Sequence, residues 1–195
     1  MKRICLFGGT FDPPHNGHLS IAKEVIDSLQ LDEVWFIPTY EPPLKDRVVT
    51  SSKHRLQMLK RMIEGREHFR IETIEIERKG KSYTIDTVQT LQKRYPKVKF
   101  YFLIGADQVN QLKKWHRIDE LVKIIQFIGV ERPGYPWKDV DVVHKISAPK
   151  IDISSTQIRH LLTHGKEIKK FVPERVYAYI KEHQLYGYRR NETDC

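Results

Sequence analysis

Cysteine is nearly missing from this chain of 195 residues: there are two, Cys5 and Cys195. Neither belongs to a Cys-x-x-Cys pair, which excludes a zinc ribbon or a dithiol redox centre. Cys5 lies in an apolar run and reads as a small buried hydrophobe, whereas Cys195 ends the polar stretch Asn191-Glu192-Thr193-Asp194. No bridge between them is expected. Long apolar runs are missing too, none approaching the ~18–20 residues of a membrane-spanning helix. Only four apolar residues follow Lys2 and Arg3 before the first glycine, too few for the core of a secretory signal. A cytoplasmic protein without a membrane partner is expected. Acid is scarce: 25 Asp and Glu face 34 Lys and Arg, for a net charge of +9. Such a field attracts polyanions, either nucleic acid or small phosphorylated ligands. The basic residues are scattered, with short clusters at Lys113-Lys114 and Lys169-Lys170 but no basic arm, and no aromatic–glycine signature of an RNA-binding sheet. Nucleic acid is therefore the weaker reading.

What is present is a regular alternation. With 39% hydrophobic and 30% charged residues, the chain has the composition of one globular domain able to bury its own core. Strands are expected at residues 2–7, 34–37, 69–77, 98–104, 124–130 and, more weakly, 140–146. Helices are expected near 17–29, 51–64, 84–95, 106–113, 117–124, 154–164 and 173–184. Leu19, Ala22, Val25, Ile26 and Leu29 share one face of the first helix. Ser51-Ser52 offers a cap to the second, and Pro173 suits the first turn of the last. The uninterrupted run Val34-Trp35-Phe36-Ile37 is that of a strand covered on both faces. This βαβ order predicts a parallel sheet with helices on both sides and right-handed crossovers. Ligands of such sheets lie beyond the carboxyl ends of the strands, where Gly8-Gly9 and Gly105 fall.

Residues 8–18, Gly8-Gly9-Thr10-Phe11-Asp12-Pro13-Pro14-His15-Asn16-Gly17-His18, join the first strand to the first helix. They are neither a Gly-x-Gly-x-x-Gly fingerprint nor a P-loop, which would end in Gly-Lys-Ser/Thr. A glycine turn emptying into a helix start aims unpaired amides at an anion, with the positive end of the helix dipole behind them. His15 and His18 add ring N–H donors beside the same anion, and Gly17 removes a side chain where a purine or ribose would lie. The pair is read as phosphate-binding rather than metal-binding, because helical metal pairs favour i,i+4 spacing and a third ligand, for which only Asp12 is near. Late in the chain, Ile153-Ser154-Ser155-Thr156-Gln157-Ile158-Arg159 repeats the logic: Ser154 or Ser155 caps a helix and Arg159 adds a forked cation one turn in. Taken alone, this is also an ordinary cap with a surface arginine. Trp115, set among Lys113, Lys114, His116 and Arg117, is either a partly buried ring or a stacking platform. Thr84 either caps its helix or helps bind a carboxylate, and Asp107 is either a dipole partner or an acceptor for ribose hydroxyls.

Gly8–His18 and Ile153–Arg159 resemble the two signature motifs of the HxGH nucleotidyltransferases, relatives of the class I aminoacyl-tRNA synthetases. Three inner segments are similar to those of the bacterial nicotinate-nucleotide adenylyltransferase family: Pro42-Pro43-Leu44-Lys45, Ser82-Tyr83-Thr84-Ile85-Asp86-Thr87, and Gly105-Ala106-Asp107 with Trp115. Leu44 stands where that family usually has histidine. Phosphopantetheine adenylyltransferase shares the outer motifs without the inner set, and the synthetases' Lys-Met-Ser-Lys-Ser is missing. The resemblance implies a Rossmann-like, doubly wound, mainly parallel α/β sheet in a single domain over residues 1–187, with 188–195 as a polar tail. It implies ATP and nicotinate mononucleotide as substrates, Mg²⁺ carried with ATP, no protein-held metal and a homodimer. By the same resemblance, His15, His18, Lys45 and Arg159 serve catalysis. ATP falls to Gly8, Gly9, Thr10, Phe11, His18, Gly105, Asp107, Ser154, Ser155, Thr156 and Arg159, and the mononucleotide to Gly9, Thr10, Lys45, Thr84 and Trp115.

Overall fold

The computed structural model describes residues 1–42, 50–131, 141–147 and 153–188. Six strands form one sheet: β1 (Lys2–Gly9), β2 (Glu33–Pro38), β3 (Phe69–Ile71), β4 (Val98–Gly105), β5 (Gln126–Glu131) and β6 (Val143–Ser147). Their order is β3-β2-β1-β4-β5-β6, and every neighbouring pair is parallel. The chain builds outward from β1 to β3, returns to the middle with β4, and builds outward the other way. This is the Rossmann-like, doubly wound order, and its switch point lies between β1 and β4.

Both faces of the sheet are covered because its strands alternate apolar residues on both sides. Cys5 points toward the layer of α1 (Asn16–Leu29), α2 (Ser52–Ile63), α7 (Ser155–Thr163) and α8 (Glu174–Glu182), packing with Val25, Met58, Ile158 and Val176. Ile4 and Leu6 point to the other layer, built from α3 (Ile74–Arg78), α4 (Thr84–Arg94), α5 (Ala106–Val109) and α6 (Ile118–Ile124), among Ile85, Val88, Leu91 and Leu121. Each such side chain, when fully buried, contributes on the order of 1.5–3 kcal/mol. Cys5 is a free thiol, fully buried, and burial pushes its pKa up, as suits an inert core residue. Among the described residues no helix is long and apolar enough to cross a membrane.

Four expectations are corrected. The strand expected at 69–77 ends at Ile71, and residues 74–78 form α3. Ile74 and Ile76 mimic strand alternation, but Glu72 makes the last ladder bond, to the Phe36 carbonyl, and its carboxylate accepts from the Ile74 amide at 3.2 Å. Glu75 and Glu77 then sit in a first helical turn, where negative charge is favoured. The helix expected at 106–113 breaks into α5 and a separate 3-10 turn at Leu112–Lys114. Pro173 is the N-cap of α8 rather than a residue of its first turn. Gly8 and Gly9 are not the turn: both belong to β1, and the reversal is made by the residues after them, with Phe11 at φ 51°. Ser51, as expected, caps α2, its hydroxyl accepting from the His54 amide at 3.4 Å.

Candidate active site

The Gly8–His18 loop is shaped by its own side chains. A Cβ on Gly8 would meet the Phe102 ring at 3.0 Å, and one on Gly9 would meet the Phe11 ring at 3.0 Å. The glycines thus admit two aromatic rings beneath the loop. Phe11, only 2% exposed, stands edge-on to Phe36 and His18. Gly17 has a different role from the expected one: its missing Cβ would lie 2.9 Å from His15 Nδ1, so the space holds the His15 ring rather than a ligand's purine or ribose.

His15 is the N-cap of α1 and His18 its third residue. The His15 amide donates to His18 Nδ1 at 3.1 Å, so the His18 ring proton sits on Nε2. The two rings lie 3.7 Å apart, centroid to centroid, tilted by 31°. His18 therefore presents Nε2 as its donor atom at the start of a helix.

The late motif is stitched to this loop. Ser154 caps α7, its hydroxyl accepting from the Gln157 amide at 3.2 Å, while Gln157 Oε1 accepts from the Ser154 amide at 2.7 Å. Ser155 donates its hydroxyl to the Pro13 carbonyl at 2.9 Å. Arg159 Nη1 donates to the Asp12 carbonyl at 2.7 Å and its Nη2 to Thr156 Oγ1 at 3.2 Å. The two helix starts are held side by side, more than 130 residues apart in sequence.

They open on one cavity of about 320 Å³. Every described residue expected to serve catalysis or ATP lines it: Gly8, Gly9, Thr10, Phe11, His15, His18, Gly105, Asp107, Ser154, Ser155, Thr156 and Arg159. A second cavity, about 530 Å³, adjoins it and shares Gly8, Gly9, Thr10, Asp107 and Gln108 as a common wall. Thr84 and Trp115 line this second cavity, as do Tyr83 and His116, whose ring centroids lie 4.4 Å apart at a tilt of 35°. Trp115 is held edge-on by Phe102 and Phe127, each centroid at 5.9 Å. Thr84 is not a cap: it is the first residue of α4, and Tyr83 before it makes no side-chain cap bond. Lys45 lies outside the described residues, as does Leu44.

Sequence reasoning missed the buried polar residues behind the walls. Glu75, 4% exposed, lines the second cavity and accepts from Thr87 Oγ1 at 2.7 Å; burial raises its pKa. Arg55 on α2, 1% exposed, reaches the backbone of Thr10. Tyr186, near the chain's end, donates to Asp12 Oδ1 at 2.6 Å, and burial together with the Asp12 charge raises its pKa. Glu75, a carboxylate between Ile74 and Ile76, carries a faint local signal; Arg55 and Tyr186 carry none.

An open parallel sheet that presents two helix starts and an imidazole donor to one cavity, with a second cavity alongside, is suited to holding a phosphorylated ligand next to a second ligand. Residues 6–161 match the model of the family described as cytidylyltransferase-like. The probable nicotinate-nucleotide adenylyltransferase of Bacillus pumilus (strain SAFR-032) is 52% identical over 95% of this chain and 99% of its own length. That of Oceanobacillus iheyensis is 49% identical over 98% and 100%. The solved structure of Plasmodium falciparum nicotinic acid mononucleotide adenylyltransferase complexed with NaAD shares the fold, with a TM-score of 0.83 over 97% of this chain and 99% of that one, at 24% identity. The chain belongs to the cytidylyltransferase-like family and, within it, to the nicotinate-nucleotide adenylyltransferases.

Proposed function

We propose that this chain transfers the adenylyl group of ATP to nicotinate mononucleotide, yielding nicotinate adenine dinucleotide and pyrophosphate, a step of NAD biosynthesis. The observation that carries this reading is the pair of cavities divided only by Gly8–Thr10, Asp107 and Gln108. Two ligands seated there bring their phosphates together at one loop. The triphosphate lies against the starts of α1 and α7, and the mononucleotide has its pyridine on Trp115 and its carboxylate at the start of α4.

A phosphate oxygen of the mononucleotide attacks the α-phosphorus of ATP in line. The new P–O bond forms as the α–β bridging bond breaks, and pyrophosphate leaves with the electron pair. The attacking oxygen is already anionic, so no protein base is required, and catalysis consists of positioning and charge neutralisation. His18 Nε2–H donates to the bridging or α-phosphate oxygen, His15 supports it, and Arg159 with Lys45 grips the remaining phosphates. Mg²⁺ enters as part of the substrate, on the β- and γ-phosphates. The donors around the cavity, N–H groups together with the hydroxyls of Thr10 and Ser154–Thr156, suit phosphate oxygens, and Asp107 is an exposed carboxylate on its wall.

Pantetheine phosphate is the alternative acceptor. It has no flat acidic ring to use Trp115 and the α4 start, which favours nicotinate mononucleotide. We propose that it acts in the cytoplasm and, by family resemblance, as a homodimer. Pyrophosphate release with nicotinate mononucleotide, nicotinamide mononucleotide and pantetheine phosphate in turn tests the assignment. Fastest turnover with the first is expected; preference for pantetheine phosphate, or tight oligonucleotide binding without ATP turnover, would overturn it.

A further inference from the structure

We propose that Arg55 is the positioning residue of this site, a buried fork that ties the phosphate loop to the backbone of Tyr40 and Thr50 while touching neither substrate. The inference rests on the adenylyl-transfer reading. Arg55 projects from the first turn of α2 and is 1% exposed, yet it lines neither cavity. Its guanidinium is spent on three backbone carbonyls from three separate stretches: Nη1 donates to Thr10 at 2.8 Å, Nε to Thr50 at 3.2 Å and Nη2 to Tyr40 at 3.3 Å. Thr10 belongs to the wall between the cavities. The Tyr40 amide in turn donates to Ser82 Oγ at 3.1 Å, just ahead of the α4 start in the acceptor cavity.

The charge is answered through Asp12. Asp12 Oδ2 accepts from the Thr50 amide at 3.2 Å, Oδ1 accepts from the Tyr186 hydroxyl at 2.6 Å, and the Asp12 carbonyl accepts from Arg159 Nη1 at 2.7 Å. One buried network therefore joins Arg55 to the residue assigned to grip phosphate. A buried cation is an inefficient source of stability, since an apolar side chain of similar volume often stabilises as much or more. What a guanidinium alone supplies is three donors in one rigid plane, and a lysine cannot span three diverging carbonyls. That geometry sets where Thr10 and Arg159 stand.

The test compares Arg55→Lys, Arg55→Ala with and without added guanidinium, and Tyr186→Phe. Each is measured for kcat, KM and calorimetric ATP affinity on protein shown by circular dichroism to be folded. Misplacing the loop by about an ångström predicts a kcat loss of roughly 10²-fold in Arg55→Lys. ATP affinity should weaken about tenfold, the scale of one weakened phosphate contact, and guanidinium should partly restore Arg55→Ala while leaving the wild type unchanged. If Arg55→Lys does not fold, Tyr186→Phe decides, with a loss in the same direction of about tenfold. Folded variants that lose only thermal stability, with kcat and ATP affinity unchanged, would overturn the proposal. A wild type that binds ATP but releases no pyrophosphate would sink the reaction assignment instead, and the ATP affinities of the variants would then decide the role of Arg55.

Discussion

The two cavities share a wall but are built by different means. The triphosphate side is made of backbone and helix starts, cross-braced by Ser155 to Pro13 and Arg159 to Asp12. The acceptor side is made of rings and half-buried polar groups: Trp115 clamped by Phe102 and Phe127, Tyr83 against His116, and Glu75 behind them. The first suits a ligand defined by charge, because amides and dipoles read phosphate without regard to what is attached. The second suits a ligand defined by shape, because a flat ring between fixed rings excludes what is not flat. Rate should therefore reside on one side and selectivity on the other.

That division can be broken in order of expected effect. His18→Ala removes an imidazole oriented by a backbone amide, and should lower kcat by at least ~10², the usual consequence of losing one transition-state donor. Steady-state kinetics with both substrates checks this, and an unimpaired kcat would refute the assignment. Trp115→Ala should raise KM for the mononucleotide about tenfold or more, in line with the ~1–3 kcal/mol of a ring stack, with the KM for ATP nearly unchanged. An equal rise for both substrates would erase the distinction between the cavities.

The smallest effect concerns Glu75 and is read in stability. Burial raises its pKa, so the folded protein holds that proton more tightly than the unfolded chain does. The resulting stabilisation is complete below the ordinary glutamate range and is lost as pH rises through the raised value. Glu75→Gln, which keeps an acceptor for Thr87, should match the wild type in acid and become relatively more stable as pH rises. Thermal unfolding from pH 4 to 8 reads this out (roughly the window above the ordinary glutamate value), and a constant difference across it would contradict the account.

The same contrast runs through what was legible in the sequence. Strands β1, β2, β4 and β5 announce themselves as apolar runs, because a parallel strand covered on both faces has no other composition. Both phosphate motifs are contiguous, so their helix starts, caps and charges could be read directly. The acceptor side was harder to read. Ile74 and Ile76 imitate a strand, and the helix that ends it depends on where Glu72 finds its partners. The glycines were legible as small but not for the right reason, since the rings of Phe102, Phe11 and His15 occupy their space only in three dimensions. Arg55 and Tyr186 were invisible: their partners lie in distant stretches, and no local pattern marks a buried fork.

The most direct test of the central claim is a crystal structure of the protein soaked with a non-hydrolysable ATP analogue and nicotinate mononucleotide. The account predicts the triphosphate between Thr10 and Ser154–Thr156 with His18 Nε2 on its α-phosphate, and the pyridine flat against Trp115. A triphosphate lying away from either helix start, or the two ligands on opposite faces of the sheet, would contradict it.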